Sequence, residues 1–175
     1  LYFEAPWLKF DEEGESAGVK TIPQVFDMMR DEMHAVMIQI NHFREGTALF
    51  NAIDYDPELG PSVLHPDDWS DNFDALEVWN SGQDLSHLFD GTLLDWYSLL
   101  NRGMNKVATG NSDSHALTQW AGQPRNLINS AENTEDSVYA ALAAFDSQVT
   151  SAPVIEFSVD GAGIGKIVVP DNGGI

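Results

Sequence analysis

The sequence predicts an α/β fold in which parallel strands are joined by crossover helices. Short apolar runs at residues 35–40, 73–80 and 106–108 alternate with segments in which apolar residues recur at helical spacing. Consecutive parallel strands need a long connection, usually a helix, so this order is typical of a parallel sheet. With 175 residues and no internal repeat, the chain is interpreted as one domain spanning residues 1–175.

The composition is that of a folded and strongly acidic protein. Hydrophobic residues make up 43% of the chain, and 28 Asp and Glu against 8 Lys and Arg give a formal net charge of −20. Such a surface repels nucleic acid and anionic membranes, so neither is expected as a partner. The acidity is consistent with an extracytoplasmic or secreted location, without a visible signal region. Because cysteine is absent, disulfides and thiolate metal ligands are excluded within this chain.

The first half of the chain begins with a predicted loop over residues 1–20. A helix is predicted after Thr21, because Thr21 and Gln24 form a capping box and the intervening proline suits a first turn. The apolar run 35–40 is predicted to be a strand buried on both faces. Residues 51–72, rich in Asp, Pro and Asn, are predicted to be a long loop. The core-facing helix residues are predicted to be Val25, Met28, Met29 and Met33.

The second half begins with a predicted strand at residues 73–80. Thr92 is the predicted cap of the next helix, which ends at Gly103. The third strand is 106–108, and residues 126–128 are predicted to be a short fourth strand. The inner face of the helix between the second and third strands is predicted to be Leu93, Leu94, Tyr97 and Leu100.

The C-terminal part contains one more predicted helix and a hairpin. Thr134 is the predicted helix cap. Residues 154–161 alternate between apolar and polar and then turn, and residues 164–169 return, which predicts a β-hairpin within residues 153–170. The predicted inner face of the helix is Val138, Ala141, Leu142 and Phe145.

Polar side chains follow each of the three main strands. His42 comes after the first, Glu77 and Asn80 close the second, and Asp113 and His115 follow the third. In parallel α/β folds the carboxyl ends of the strands meet at one face, where loops build the site. Imidazole and carboxylate ligands without sulfur suit Zn, Mn or Fe, so the pattern predicts a divalent metal site.

Each of these residues also has a structural interpretation. A single histidine at a strand end is often only a hydrogen-bonded structural residue, and Asp113 could cap a following helix. Glu77 could be an ordinary buried acceptor, and it is the weakest of the predicted ligands. Arg44 and Arg125 could seat an anionic substrate group or form structural ion pairs. His65 is interpreted as a loop residue.

Three segments resemble the later motifs of the PHP (polymerase and histidinol phosphatase) metallohydrolases. They are Gln-Ile-Asn-His at 39–42, Asp-Ala-Leu-Glu-Val-Trp-Asn at 74–80 and Thr-Gly-Asn-Ser-Asp-Ser-His at 109–115. The segment 148–157 and the glycines that follow it are similar to the closing segment of the carbaryl-hydrolase-like branch of that superfamily. The resemblance spans residues 21 to 169.

This resemblance implies part of a distorted, TIM-like β/α barrel with up to three divalent metals bridged by water or hydroxide. Carried across residue by residue, it implies that His42 binds one metal, Asp113 another and His115 a third. Asn80 and Asn111 are predicted to be substrate contacts beside them. The early His-x-His motif of the family does not occur in this sequence. We therefore expect the N-terminal part of the family domain to be missing from this chain.

The first hypothesis is a hydrolase in which metal-bound water attacks a phosphoester or, as a lesser alternative, a carbamate or amide. Its substrate is expected to be a small anionic molecule, and no protein side chain is assigned as the base. The second hypothesis is a non-catalytic binding or structural module, favoured by the missing early motif. The substrate, the metal and the oligomeric state are left open.

Overall fold

The computed structural model describes residues 8–10, 16–46, 48–61, 67–81 and 85–169, with the backbone alone for residues 8–10 and 16–19. His65, and most of the predicted loop before residue 16, lie outside this described part. Within the predicted loop 1–20, β1 (Leu8–Phe10) pairs antiparallel with β2 (Ser16–Val19). The loop prediction is therefore wrong for these residues. The first helix, α1 (Ile22–Asp31), carries the predicted capping box of Thr21 and Gln24.

A three-stranded parallel sheet positions the residues of interest. It has the order β3 (Gln39–Ile40), β4 (Ala75–Asn80) and β5 (Val107–Asn111), with β4 in the middle. The predicted parallel α/β arrangement is therefore confirmed. The described residues form no closed barrel, because this sheet is open and the other strands pair only in small antiparallel hairpins.

Helices cover the sheet on both faces. On one face, Ile40 and Leu76 pack with aromatic residues of the short helix α2 (Leu49–Ala52) and its surroundings. On the other face, Ala75 and Val107 pack against α5 (Glu135–Ala143), whose predicted cap Thr134 is confirmed. Alternation along a strand places neighbouring side chains on opposite faces, so adjacent residues such as Ala75 and Leu76 belong to different clusters.

Two predictions about burial are wrong. The run 35–40 is not buried on both faces, because Val36 is 68% exposed and only Gln39–Ile40 forms strand, at the edge of the described sheet. Thr92 occupies the N-cap position of α4 (Leu93–Asn101), as predicted, but its side chain makes no capping hydrogen bond. It is also the last residue of a π-helical turn, Leu88–Thr92, that follows α3 (Leu85–His87). The extra residue of a π turn rotates the following helix. As a result Leu94 and Tyr97 face outward, and the buried residues are Asp95, Ser98 and Leu99.

The remaining strands form two antiparallel pairs, one of them joined through α5 and the other a hairpin. The predicted fourth strand exists as β6 (Arg125–Ile128), but it pairs antiparallel with β7 (Ser147–Thr150), which the sequence did not suggest. The predicted C-terminal hairpin is confirmed only next to its turn, where β8 (Ser158–Val159) pairs with β9 (Ala162–Gly163). Asp160 and Gly161 both have positive φ angles at its turn, which is the geometry that a two-residue hairpin turn prefers. Residues 164–169, predicted to return as the second strand, form no strand.

Candidate metal centre

The site lies at the carboxyl ends of the three parallel strands. His42 follows β3 by two residues and has a φ angle of +50°, a left-handed conformation that turns the chain over the end of β4. Its imidazole is 27% exposed, whereas Glu77 on β4 is 1% exposed. The predicted convergence of the strand ends therefore brings His42 to Glu77 and to Asp113.

A β-bulge in β4 places Glu77 and Asn80 on the same side of the strand. Residues three apart in a regular strand point to opposite faces. Between Glu77 and Trp79 the pairing with β5 slips by one residue, which restores the orientation for Asn80. Both side chains consequently reach the same imidazole nitrogen, with Glu77 Oε2 at 2.9 Å and Asn80 Nδ2 at 3.2 Å from His42 Nδ1.

Glu77 lies against the Nδ1 side of the His42 ring. A carboxylate only accepts hydrogen bonds, so its contact with Nδ1 favours the tautomer with the proton on Nδ1. In that tautomer Nε2 keeps its lone pair, and the amide nitrogen of Asn80, itself a donor, makes no hydrogen bond to Nδ1. Oε2 of Glu77 also accepts from the backbone N–H of His42 at 2.9 Å, and Oε1 accepts from Asn111 at 2.7 Å. An imidazole held in this way by a carboxylate is the arrangement found behind histidine ligands of metals.

Asp113 faces the other side of the His42 ring. Its Oδ2 lies 3.7 Å from His42 Nε2, and its Oδ1 lies 2.7 Å from His115 Nε2. Burial alone would raise the pKa of Asp113, but hydrogen bonds from Asn80 and His115, together with the positive charge of each histidine when it is protonated, outweigh burial and lower that pKa. The carboxylate is thus held in its ionised form between two imidazoles.

These side chains fit a divalent cation in kind and placement but not in number. Two ligands bound at ~2.1 Å in a tetrahedral site are roughly 3.4 Å apart, close to the separation of His42 Nε2 and Asp113 Oδ2. His115 uses its Nε2 for the direct bond to Asp113. Among the residues that the structure describes, no group of three or more His, Cys, Asp or Glu side chains is arranged to hold a metal.

The predicted substrate contacts are engaged with the chain itself. Asn111 donates to Glu77, and Asn80 donates to Asp113 and lies 3.2 Å from His42 Nδ1, so both amides hold the candidate ligands in place. Arg44 forms a two-pronged ion pair with Asp95, the structural alternative considered for it above. The guanidinium of Arg125 donates to two backbone carbonyls at 3.2 Å and joins none of the described contacts of the site. Their contact with a substrate stays a prediction.

Three supporting residues were not recognised in the sequence. Gln119 accepts through Oε1 from the backbone N–H groups of His115 and Ala116 and so shapes the loop after β5. Ser81 bonds the carbonyl of Ser112 and ties the ends of β4 and β5 together. Asp95 binds Arg44 from α4. Polar residues in loops and helices are common, and nothing in their spacing distinguishes these three.

A cavity of about 480 Å³ lies at the opposite end of the sheet. Its lining includes Asp74, Lys106 and Tyr139, from the starts of β4 and β5 and from α5, and none of the residues of the candidate centre. The cavity therefore does not mark that centre.

No protein-family model, curated protein or solved structure matches the chain. The resemblance to the PHP metallohydrolases rests on the motifs at the strand ends. None of the helices in the described ranges is long and apolar enough to cross a membrane.

Proposed function

We propose that this chain contributes to the metal site of a PHP-like hydrolase whose substrate is a phosphoester. The observation that supports it best is the His42 ring, which is held at Nδ1 by the buried Glu77 and presents Nε2 to Asp113. A histidine with only a structural role would be held by Glu77 alone and would not need Asp113 near its Nε2. The PHP-like motifs at the strand ends agree with this proposal.

In the proposed site, His42 and Asp113 bind the cation directly. His115 becomes a third ligand if its ring leaves Asp113, and Glu77 acts behind His42 by fixing its proton and orientation. When bound, a divalent cation polarises the substrate and lowers the pKa of a bound water towards neutrality. A cation also offsets the repulsion that a chain of net charge −20 exerts on an anionic substrate.

The test combines metal binding with hydrolysis. Titration calorimetry with Mn²⁺ and Zn²⁺ should show one binding event that Asp113→Asn weakens by about tenfold or more, because a carboxylate ligand is lost. Asp146→Asn is the matched control, since Asp146 bonds Asn129 and takes no part in the site. Aryl phosphomonoesters and phosphodiesters serve as substrates, with an aryl carbamate in parallel. Equal binding by both variants would reject the metal site.

A second candidate, a non-catalytic module, is favoured by a different observation. The carboxylate of Asp113 already has hydrogen-bond partners in Asn80 and His115, and no complete ligand group occurs within the described residues. Hydrolysis by the metal-loaded protein, with the early ligand motif supplied by a longer chain, separates the two candidates: metal binding without turnover of any ester or carbamate would then support the module.

A further inference from the structure

The loop that carries His42 is held in a conformation that the backbone does not favour. His42 has a φ angle of +50°, and residues other than glycine adopt that region only where their surroundings impose it. The hydrogen bond from its own N–H to Glu77 accounts for one side of the loop. The other side must be fixed by the residues that follow.

Arg44, two residues further on, provides that second anchor. Its Nε lies 2.7 Å from Asp95 Oδ2 and its Nη2 2.5 Å from Oδ1, so the guanidinium and carboxylate meet in a two-pronged pair. Nη2 also donates to the carbonyl of Tyr55 at 2.7 Å. The side chain of Asp95 is 2% exposed and that of Arg44 is 20% exposed, so solvent screens this pair little.

The neighbouring contacts extend the anchor along the loop. Asn51 donates to the carbonyls of Arg44 and Gly46 at 2.8 and 2.9 Å. Phe43, between His42 and Arg44, is 1% exposed and lies in the aromatic core. The guanidinium carbon of Arg44 lies 5.5 Å from the centre of the Phe50 ring. The loop is therefore tied to α2 and α4 as well as to the sheet.

We propose that Asp95, acting through Arg44, is a positioning residue for His42. Asp95 touches neither His42 nor Asp113 in any described contact, but it sets where Arg44 lies and so where the strained turn begins. Its importance for function rests on the proposed role of His42. The placement of the loop does not depend on that role, and it can be measured without metal.

Hydrogen exchange of the His42 amide reports that placement, because this N–H donates to Glu77. Arg44→Lys and Asp95→Asn should each speed its exchange about tenfold or more relative to the amides of β4, since both variants lose the charged two-pronged pair. A loss of overall stability would speed the exchange of the β4 amides as well, so by itself it would not raise the His42 rate relative to theirs. The ¹⁵N signals of the His42 ring should also move towards a mixture of tautomers.

Arg30→Lys is the matched control. Arg30 lies on α1, is 23% exposed and pairs with Asp74 at 2.5 Å. Like Arg44, it also donates to backbone carbonyls. It should leave the His42 ratio unchanged. The proposal is overturned if the control changes the ratio as much as Arg44→Lys does, or if neither site variant changes it. Should both variants fail to fold, slow exchange of the Arg44 Nε–H in the unaltered chain supports the anchor, and fast exchange rejects it.

Discussion

Glu77 shows how one buried carboxylate determines the state of a neighbouring imidazole. Its Oε2 accepts from the backbone N–H of His42 and lies 2.9 Å from the ring Nδ1, and its Oε1 accepts from Asn111. A buried carboxylate is stable only because each oxygen is satisfied. Its contact with Nδ1 therefore favours one tautomer of the ring before any ligand arrives.

Glu77→Gln should lower the affinity for Mn²⁺ by about 10–100-fold, as changes behind a metal-binding histidine commonly do. If the single amide oxygen serves His42, the new NH₂ group faces the NH₂ of Asn111, and the negative charge beside the ring is lost, so the ring is held less firmly. Calorimetric titration measures the effect. Glu135→Gln, at the exposed first turn of α5, is the control and should bind like the unaltered chain. An unchanged affinity for Mn²⁺ in Glu77→Gln would show that Glu77 has no role in metal binding.

At this scale the sequence located the candidate ligands but not their contacts. His42, Glu77 and Asp113 were found because polar residues at the ends of parallel strands must lie near one another. The roles of Asn80 and Asn111 were not, because the bulge that turns Asn80 towards His42 depends on the pairing with β5. No local pattern of residue types records that pairing.

At the level of the elements, two irregularities are joined by one hydrogen bond. The bulge in β4 falls at Val78, and the carbonyl of Val78 accepts from Thr92 Oγ1 at 2.6 Å. Thr92 ends the π-helical turn, and its side chain is buried. The turn that directs Asp95 inward and the bulge that directs Asn80 to His42 thus share an attachment.

Thr92→Val should lower the free energy of unfolding by about 1–3 kcal/mol, because a buried carbonyl loses its partner while the side-chain volume is kept. Chemical denaturation measures this value, and Thr92→Ser, which retains the hydroxyl, should lose less. If the valine variant is as stable as the serine variant, the bond between turn and bulge contributes nothing. The sequence predicted Thr92 as a cap, since a threonine before an apolar run has the same appearance in both settings.

At the scale of the whole molecule, the sequence predicted the parallel sheet but not the antiparallel pairing of β6 with β7. The long connections between the apolar runs predict that β3, β4 and β5 are parallel, because parallel neighbours need a long crossover connection, whereas antiparallel neighbours can be joined by a short turn. The apolar residues of β6 look alike in either direction of pairing. Its partner β7 contains a single large apolar residue, Val149, so its sequence gives little signal of a strand.

The charge of the molecule offers a test that separates specific metal binding from general screening. A net charge of −20 on 175 residues opposes the compact state through self-repulsion. Raising NaCl from about 0.05 to about 0.5 M shortens the screening length from roughly 14 to 4 Å, so the melting temperature should rise. Any cation, bound at a site or not, contributes to this general effect.

Mn²⁺ at the same ionic strength should raise the melting temperature further if it binds the folded chain at the candidate centre. The excess over NaCl should disappear in Asp113→Asn and persist in Asp146→Asn, which removes the same charge elsewhere. Differential scanning calorimetry at matched ionic strength gives both values. An excess that both variants lose equally would mean that Mn²⁺ acts on the acidic surface as a whole, and the contacts between His42, Glu77 and Asp113 would then be a purely structural network.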